Sequence, residues 1–244
     1  MGSRPLVQKT IGVLGGGSNV ATAEYYRLLN QIANDRLGGW DIAETMIAGM
    51  NFGNIEAMVR DGDWTGLETY MGEKVDGLMV AGADVLICVS NTLHKPLLPI
   101  VARRTVPFIH IADPTGAAIK AAGLARVALF GTKATMALLE NRRRYEEEFG
   151  LEIVVPDERE QDEIDRIIFD ELTRDRILPA SKARYLEIAD RLAAEAGAEG
   201  LILGCTEIFL LIDQADRPAL PMFNTTALHC QAAVEFALGA RETV

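Results

Sequence analysis

Two apolar runs of this sequence end in small polar side chains that could carry out acid–base chemistry. The runs open the stretches "DVLICVSNTLHK" (84–95) and "GLILGCTE" (200–207), whose polar residues include Ser90, Asn91, Thr92, Cys205, Thr206 and Glu207. A thiol can act as a base or a nucleophile, and a hydroxyl can donate a proton or hydrogen-bond a carboxylate. In open α/β sheets ligands bind beyond the carboxyl ends of the strands, where these side chains would lie.

Cys205 is the strongest candidate for chemistry among the three cysteines. It stands just ahead of an expected helix, where the helix N-terminus and nearby N–H groups would lower the pKa of a thiol. Its neighbours are glycine, threonine and glutamate, which a plain core strand does not need. Cys88, inside an apolar run, and Cys230, in an apolar helix, are instead expected to pack in the core.

A glycine-rich turn in "TIGVLGGGS" (10–18) follows one expected strand and precedes a helix. Such a turn presents backbone N–H groups and a positive helix end to an anion. Val20 stands where a dinucleotide-binding G-x-G-x-x-G motif needs glycine, so a carboxylate or phosphate site is favoured over a simple tight turn. The stretch "RVALFGTKAT" (126–135) repeats this form.

Composition excludes several other functions. A formal net charge of −11 argues against non-specific nucleic-acid binding, which relies on clustered Lys and Arg. Three cysteines without a CxxC pair and three histidines make disulfides, structural zinc and a His-rich metal site unexpected. No apolar run approaches the roughly 20 residues that cross a bilayer, and the start does not resemble a signal peptide, so we expect a soluble, cytoplasmic protein without membrane contacts.

Short apolar runs alternate with longer amphipathic stretches along the chain. The predicted strands are 10–15, 44–49, 84–89, 106–111, 126–131, 151–156, 200–204 and 220–224. The predicted helices are 20–35, 62–82, 95–104, 114–123, 133–149, 160–174, 180–197 and 225–240. The pattern predicts an α/β fold of two pseudo-symmetric lobes, each a mostly parallel sheet flanked by helices, with the active site in the cleft between them.

His94 and Lys95 open the helix that follows the Ser90 stretch. A positive charge there could attract a carboxylate, whereas a solvated helix face is equally compatible with the sequence. His110, at the end of "VPFIHI" (106–111), is a further candidate beside the same strand ends.

Over nearly its whole length the chain resembles the aspartate/glutamate racemase superfamily. The matching segments come in the family's order, namely "IGVLGGGS", "NTLHK", "HIAD", "VALFGT", "IIFDEL" and "GCTEI". The resemblance implies a homodimer, two α/β lobes and catalysis without a cofactor. Because the family's last helix usually returns to the first lobe, it also implies lobes of residues 1–105 plus 214–244 and of residues 106–213.

In that family two cysteines, one from each lobe, flank the α-carbon of the substrate. One removes a proton while the other delivers one to the opposite face. The matching positions here are Ser90 and Cys205. The substrate-binding positions implied by the resemblance are Ser18, Asn51, Asn91, Thr92, Thr132, Thr206 and Glu207.

Ser90 departs from the two-cysteine pattern. A hydroxyl is a far weaker acid than a thiol, whose pKa is about 8.5 in model peptides, so it does not readily act as an anionic base. It could pass a proton to a carbanion directly or through water. A hydroxyl residue followed by "NT-x-HK" resembles the L-aspartate/L-glutamate-specific branch, in which the cysteine acts on the L enantiomer. We therefore expect Cys205 to act on that face.

The expected substrate pocket departs as well. Aspartate racemases often carry a lysine after "EL" that can meet the side-chain carboxylate, whereas Thr173 follows Glu171 and Leu172 here. Gly17 replaces the usual methionine of the glycine-rich turn. A racemase of an acidic amino acid is expected, and a neutral or different side chain stays an alternative.

Two other functions are compatible with the sequence. Arylmalonate decarboxylases of the superfamily keep only the second-lobe cysteine, and maleate isomerases use a cysteine as nucleophile. A decarboxylase would need an apolar pocket for the departing carboxylate, which the polar Asn91 and Thr92 argue against. A non-catalytic binder of small molecules is the third possibility, and for it Cys205→Ala would leave ligand affinity intact.

Overall fold

A computed structural model describes residues 6–137 and 139–239. The described residues form two compact units, each with its own parallel sheet. Unit 1 comprises 6–89, 96–109 and 229–239; unit 2 comprises 90–95, 110–137 and 139–228. Helices flank both sheets, which confirms the predicted α/β class.

In unit 1 the sheet has three parallel strands in the order β2-β1-β3. These are β1 (Ile11–Gly15), β2 (Thr45–Gly49) and β3 (Val85–Cys88). Residues of β1 and β3 are buried along the whole strand, as continuous apolar runs require in a sheet covered on both faces. Ile11 is in register with both Thr45 and Val85, so the carboxyl ends of the three strands meet at one edge.

The sheet of unit 2 has four parallel strands in the order β5-β4-β6-β7. They are β4 (Arg126–Phe130), β5 (Glu152–Val154), β6 (Leu201–Leu203) and β7 (Met222–Asn224). Along the central β4, Ala128 and Phe130 pack into one hydrophobic cluster, while Val127 and Leu129 pack into another. This alternation is the period-two geometry of a strand buried on both faces.

Helices fill the connections between these strands. In chain order they are α1 (Asn19–Leu37), α2 (Phe52–Asp61), α3 (Trp64–Val80), α4 (His94–Val101), α5 (Ala112–Ala121), α6 (Lys133–Ala137), α7 (Leu139–Arg143), α8 (Glu158–Asp170), α9 (Pro179–Ala196), α10 (Ile208–Leu211) and α11 (Thr225–Leu238). A π-helical turn, Arg144–Glu148, follows α7, and a 3₁₀ turn, Leu172–Arg174, follows α8.

Buried hydrophobic clusters hold these helices in place. In unit 1, Tyr25 and Leu29 of α1 pack with Val234 of α11 and with the sheet. In unit 2, Ile164 of α8 and Tyr185 of α9 pack on one face of the sheet. Cys88 and Cys230 are fully buried, which confirms the prediction that both pack in the core.

The glycine-rich turn after β1 requires glycine at one position in particular. Gly16 has φ of +96°, and a Cβ there would collide with the backbone of Met50. Its N–H donates to Oγ1 of Thr22 at 2.9 Å. The turn therefore lies tightly against the chain that follows β2.

Several predicted elements differ from the structure. Residues 106–111 were predicted as a strand but form a single bridge, from Leu86 to Phe108, because Pro107 has no N–H to extend the ladder. The predicted helix 133–149 is divided into α6, α7 and the π-helical turn. Helix α2 was not predicted, and α10 was expected only as a helix after Cys205, without bounds.

The predicted lobe boundaries also differ from the compact units. Residues 214–228 were assigned to the first lobe but lie in unit 2, because β7 pairs with β6. The loop 90–95 was assigned to the first lobe as well and lies in unit 2. Ser90 and Cys205 therefore belong to the same unit.

Candidate active site

The Ser90 loop follows β3 and presents a lightly held hydroxyl. Ser90 is partly exposed, and its Oγ accepts a long hydrogen bond of 3.4 Å from the Leu93 N–H. Asn91 is 9 % exposed, and its amide Nδ2 donates to Oγ1 of Thr225 at 3.4 Å. Both bonds are near the limit of hydrogen-bond length, so these side chains can turn toward a ligand at small cost.

Three threonine hydroxyls form a triangle that ties the Ser90 loop to the start of α6. Oγ1 of Thr92 lies 3.1 Å from Oγ1 of Thr132 and 2.8 Å from Oγ1 of Thr135, and the last two atoms are 3.0 Å apart. Oγ1 of Thr132 also accepts the Thr135 N–H at 3.1 Å. Hydroxyl rotors can reorient to donate to an oxyanion. The triangle is therefore suited to bind one carboxylate.

Thr135 was missed in the sequence. The signal that could have revealed it is its spacing of three residues from Thr132, which is the spacing of a helix N-cap and the N–H it binds. Thr135 is 2 % exposed, so its hydroxyl bonds the other two hydroxyls from the buried side of the triangle.

Cys205 and Glu207 form a hydrogen-bonded pair after β6. The thiol of Cys205 donates to Oε2 of Glu207 at 3.1 Å, and Oγ1 of Thr206 donates to the same oxygen at 2.9 Å. The Thr206 carbonyl accepts from Oγ1 of Thr226 at 3.3 Å. Glu207 is only 2 % exposed, so its carboxylate is held beside the sulfur by its surroundings.

The pKa of the Cys205 thiol is raised well above its ordinary range, so the predicted lowering is wrong in direction. Burial is the largest cause, and the negative charge and hydrogen bond of Glu207 add to it. The N–H groups of Thr206 and Glu207 do act on the sulfur in the predicted sense, but their effect is smaller. The resting protein therefore holds Cys205 as a thiol with a carboxylate as the acceptor of its proton.

Glu207 has hydrogen-bond partners that the sequence did not predict. It was expected to bind substrate, whereas its Oε2 accepts hydrogen bonds from Cys205 and Thr206. A carboxylate in this place can take the proton of a thiol and so generate a thiolate.

The two candidates of unit 1 are helix caps. Ser18 is 1 % exposed, and its Oγ accepts the Ala21 N–H at 3.0 Å at the start of α1. Asn51 is exposed, and its Oδ1 accepts the Gly53 N–H at 3.0 Å at the start of α2. Both side chains have a structural function in the caps, which leaves any contact with substrate to their remaining hydrogen-bonding capacity.

His94 and His110 lie inside unit 2 rather than on a solvated face. They are 1 % and 7 % exposed, and their rings are 4.3 Å apart between centroids. Nε2 of His94 accepts the Ile111 N–H at 3.2 Å, and Nδ1 of His110 accepts the Ala112 N–H at 3.1 Å. A nitrogen that accepts an N–H is unprotonated, so both rings are neutral, and the positive charge that the sequence suggested for the start of α4 comes from Lys95 and not from His94.

The position after "EL" is occupied by a side chain that bonds the backbone. Oγ1 of Thr173 donates to the Phe169 carbonyl at 2.9 Å. Glu171 is 6 % exposed, with Oε1 accepting from Nη1 of Arg166 at 3.1 Å and Oε2 from the Ser181 hydroxyl at 2.5 Å. The carboxylate two residues before this position is thus already paired, and Arg174 directly follows Thr173.

Within residues 6–137 and 139–239, no group of three or more His, Cys, Asp or Glu side chains is arranged to hold a metal ion. In the same ranges, no helix combines the length and apolar character needed to cross a membrane.

Comparisons with known proteins agree in one family. The family model described as Asp/Glu/Hydantoin racemase matches residues 11–233. A candidate Asp/Glu racemase of Yersinia pestis is 36% identical, with a TM-score of 0.86 over 95% of this chain and 100% of that chain. An aspartate racemase homologue of Pyrococcus horikoshii OT3 is 30% identical, with a TM-score of 0.83 over the same shares, 95% and 100%. Picrophilus torridus aspartate racemase shares the fold at 17% identity, with a TM-score of 0.70 over 93% of each chain.

Proposed function

Since the chain belongs to the Asp/Glu/hydantoin racemase family and is therefore an isomerase, we propose that it inverts the α-carbon of aspartate or glutamate, with preference for the L enantiomer. The acidic substrate is supported by the family's description and by the Yersinia pestis and Pyrococcus horikoshii proteins. The preference for the L enantiomer is supported by the unequal pair of a serine and a cysteine at the two proton-transfer positions.

The observation that carries the proposal is the bond from the Cys205 thiol to Oε2 of Glu207. A racemase needs a base that can remove a weakly acidic proton next to a carboxylate. A thiol with a raised pKa becomes a strong base once its proton has gone to an adjacent acceptor. Glu207 is the acceptor at 3.1 Å.

The proposed reaction proceeds in balanced proton transfers. Glu207 takes the thiol proton, and the Cys205 thiolate then removes the Cα proton of the L substrate. Electrons left at Cα delocalise into the α-carboxylate. Ser90 passes a proton to the opposite face and recovers one from water. Glu207 then releases its proton to solvent, so every group returns to its starting state.

Substrate binding is assigned to the polar side chains around this pair. The Thr92 and Thr132 hydroxyls, supported by Thr135, bind one oxygen of the α-carboxylate. Asn91 and Thr206 contact the rest of the α-carboxylate and the amino group. This assignment is supported by the hydroxyl triangle and by the long bond of Asn91 to Thr225.

Two further properties are proposed on the family resemblance. The protein is proposed to act as a homodimer in the cytoplasm, without a cofactor. Three free cysteines, at Cys88, Cys205 and Cys230, are in keeping with a reducing compartment.

Deuterium exchange at Cα tests the reaction class. In D₂O the protein is expected to incorporate deuterium into L-aspartate or L-glutamate and to change the optical rotation of either enantiomer. The panel should contain both enantiomers of the common amino acids, because the position after "EL" lacks the family's lysine. Release of carbon dioxide from substituted malonates, with no exchange into any amino acid, would identify a decarboxylase instead.

Exchange of the Cα proton without inversion tests whether Ser90 and Cys205 differ in their ability to act as a base. Because the equilibrium constant of a racemisation is one, kcat/KM is the same in both directions for every variant. The asymmetry appears instead when each enantiomer exchanges its Cα proton and keeps its configuration. Ser90→Cys is expected to speed this exchange for the D enantiomer about tenfold or more, since a thiol can ionise where a hydroxyl cannot.

Ser90→Ala is the matched variant for this experiment. It removes the proton donor but leaves Cys205 and Glu207, so inversion should fall while exchange of the L enantiomer with retention continues. An unchanged rate for the D enantiomer in Ser90→Cys, together with normal inversion in Ser90→Ala, would remove Ser90 from the mechanism.

A further inference from the structure

We propose that His94 is the positioning residue of the Ser90 loop and holds Ser90 where its hydroxyl can deliver a proton. The inference rests on the proposed racemase function, because it concerns the residue that protonates the carbanion. It assigns no contact with substrate to His94. The two residues belong to the same unit and are joined through the Ser90 backbone.

Both ring nitrogens of His94 bind the backbone. Nδ1 lies 2.7 Å from the Ser90 carbonyl oxygen, and Nε2 lies 3.2 Å from the Ile111 nitrogen. The ring is 1 % exposed, so these bonds form away from solvent. His94 therefore connects the Ser90 loop to the chain just before α5.

The bonding partners determine the tautomer. A peptide N–H can only donate, so Nε2 of His94 must accept from Ile111 and is unprotonated. A carbonyl can only accept, so Nδ1 must carry the proton that is donated to Ser90. The neutral Nδ1–H tautomer is thus the one form that satisfies both partners.

This bond is shorter than the other bonds to the backbone within the loop, whose 2.8 Å bond is made by the Thr92 side chain. The His94 and Lys95 N–H groups reach the Asn91 and Thr92 carbonyls at 3.3 Å and 3.4 Å, and the Ser90 hydroxyl bond is 3.4 Å. Hydrogen bonds weaken as they approach this limit. The His94 bond at 2.7 Å is therefore the main constraint on the Ser90 peptide within the loop.

The neighbouring imidazole fixes the plane of the His94 ring. The His110 ring lies 4.3 Å away between centroids at an interplanar angle of 59°, and its Nδ1 accepts the Ala112 N–H. With both nitrogens bonded and the His110 ring in contact, rotation of the His94 ring is restrained. Small displacements of a catalytic group reduce rates strongly, so this restraint matters for proton delivery.

The variant His94→Ala tests the inference by the ratio of two products, the deuterated L substrate that keeps its configuration and the inverted D product. For L substrate in D₂O, exchange with retention needs Cys205 alone, whereas inversion also needs Ser90. We expect the ratio of exchange to inversion to rise about tenfold, because Ser90 loses its anchor while Cys205 keeps Glu207. A merely structural role would lower both rates together and leave the ratio unchanged. His94→Asn, whose amide can donate to the Ser90 carbonyl in place of Nδ1, should restore part of the inversion.

His229 offers a matched control in unit 1. It is fully buried, and its ring nitrogens lie 3.0 Å from the Tyr25 hydroxyl and 2.9 Å from the Ile109 carbonyl oxygen. His229→Asn should cost stability, like any loss of a buried histidine, yet leave the exchange-to-inversion ratio as in the parent protein.

Two measurements separate this inference from the proposed function. If the parent protein exchanges and inverts but His94→Ala keeps its ratio, the positioning role is wrong and the racemase stands. If the parent protein is inactive on every amino acid, the racemase proposal fails. Amide hydrogen exchange then still tests the anchor, because His94→Ala should speed exchange in the segment 90–95 at least tenfold, and an unchanged rate would overturn it.

Discussion

Cys205→Ala is expected to abolish both deuterium exchange at Cα and inversion, by a factor of about 10³ or more. The thiol is the base proposed for the L enantiomer, and alanine can neither accept nor hold a proton. Positioned acid–base groups contribute roughly 10²–10⁴-fold to rate, and no neighbouring group can replace this one at the same place. The measurement is ¹H NMR of the Cα signal in D₂O, alongside chiral separation of the product.

Cys230→Ala is the control for this experiment. Cys230 is fully buried in α11, its pKa is raised by burial, and alanine suits a helix. It should retain the activity of the parent protein below its unfolding temperature. Equal losses in the two variants would indicate damage to the fold, whereas substantial exchange remaining in Cys205→Ala would show that another group is the base.

Glu207→Gln is expected to change turnover and thiol reactivity in opposite directions. Turnover should fall about 10²-fold, because the amide cannot take the proton that Cys205 must lose. Alkylation of Cys205 by iodoacetamide should meanwhile shift to lower pH. The carboxylate raises the pKa of the thiol by its charge and its hydrogen bond, so its removal makes the thiolate easier to form.

The causes of the raised Cys205 pKa determine in which direction the alkylation profile moves along the pH axis and how far it moves. In the parent protein the Cys205 thiolate forms only at pH values well above the ordinary pKa range of a thiol. The alkylation rate should therefore still be rising with pH at those values. In Glu207→Gln the profile should move to lower pH but stay above the ordinary pKa range of a thiol. Burial is the larger cause of the raised pKa, and the variant retains it. Mass spectrometry of the alkylated peptide over a pH series provides the measurement.

Glu160→Gln supplies the matched control. Glu160 is also a buried glutamate of unit 2, at 6 % exposed, but its carboxylate pairs with Arg184 and Arg191. The variant Glu160→Gln should be less stable than the parent protein, but its Cys205 should be alkylated over the same pH range. If Glu207→Gln keeps both its turnover and its profile, Glu207 is not the proton acceptor.

Much of the fold could be read from the sequence because it depends on local periodicity. Continuous apolar runs predicted β1, β3, β4 and β6, which are buried on both faces. The edges of the elements were less predictable. Residues 106–111 have the composition of a strand, but Pro107 limits them to one bridge with Leu86. The four residues of α10 are too few for a periodic signal, whereas the ten residues of α2 were simply missed.

The candidate site was read partly from residue types and partly missed. Cys205 and Glu207 stand out because thiol and carboxylate side chains follow a buried run. Their interaction could not be predicted, since the sequence gives no distance between the sulfur and Oε2. The expected lowering of the thiol pKa considered the helix end alone and left out burial, which is the larger effect.

By itself the sequence determined which chemical groups are available: one thiol and one hydroxyl after buried strands, threonines beside them, and a parallel α/β scaffold to carry them. Only the tertiary structure decided how they act. It placed the Ser90 loop in the same unit as Cys205, aimed the thiol at Glu207 and buried His94 against the Ser90 carbonyl. The physical reason is that proton affinity depends on desolvation and on neighbouring charges, and both arise from residues far apart in the chain.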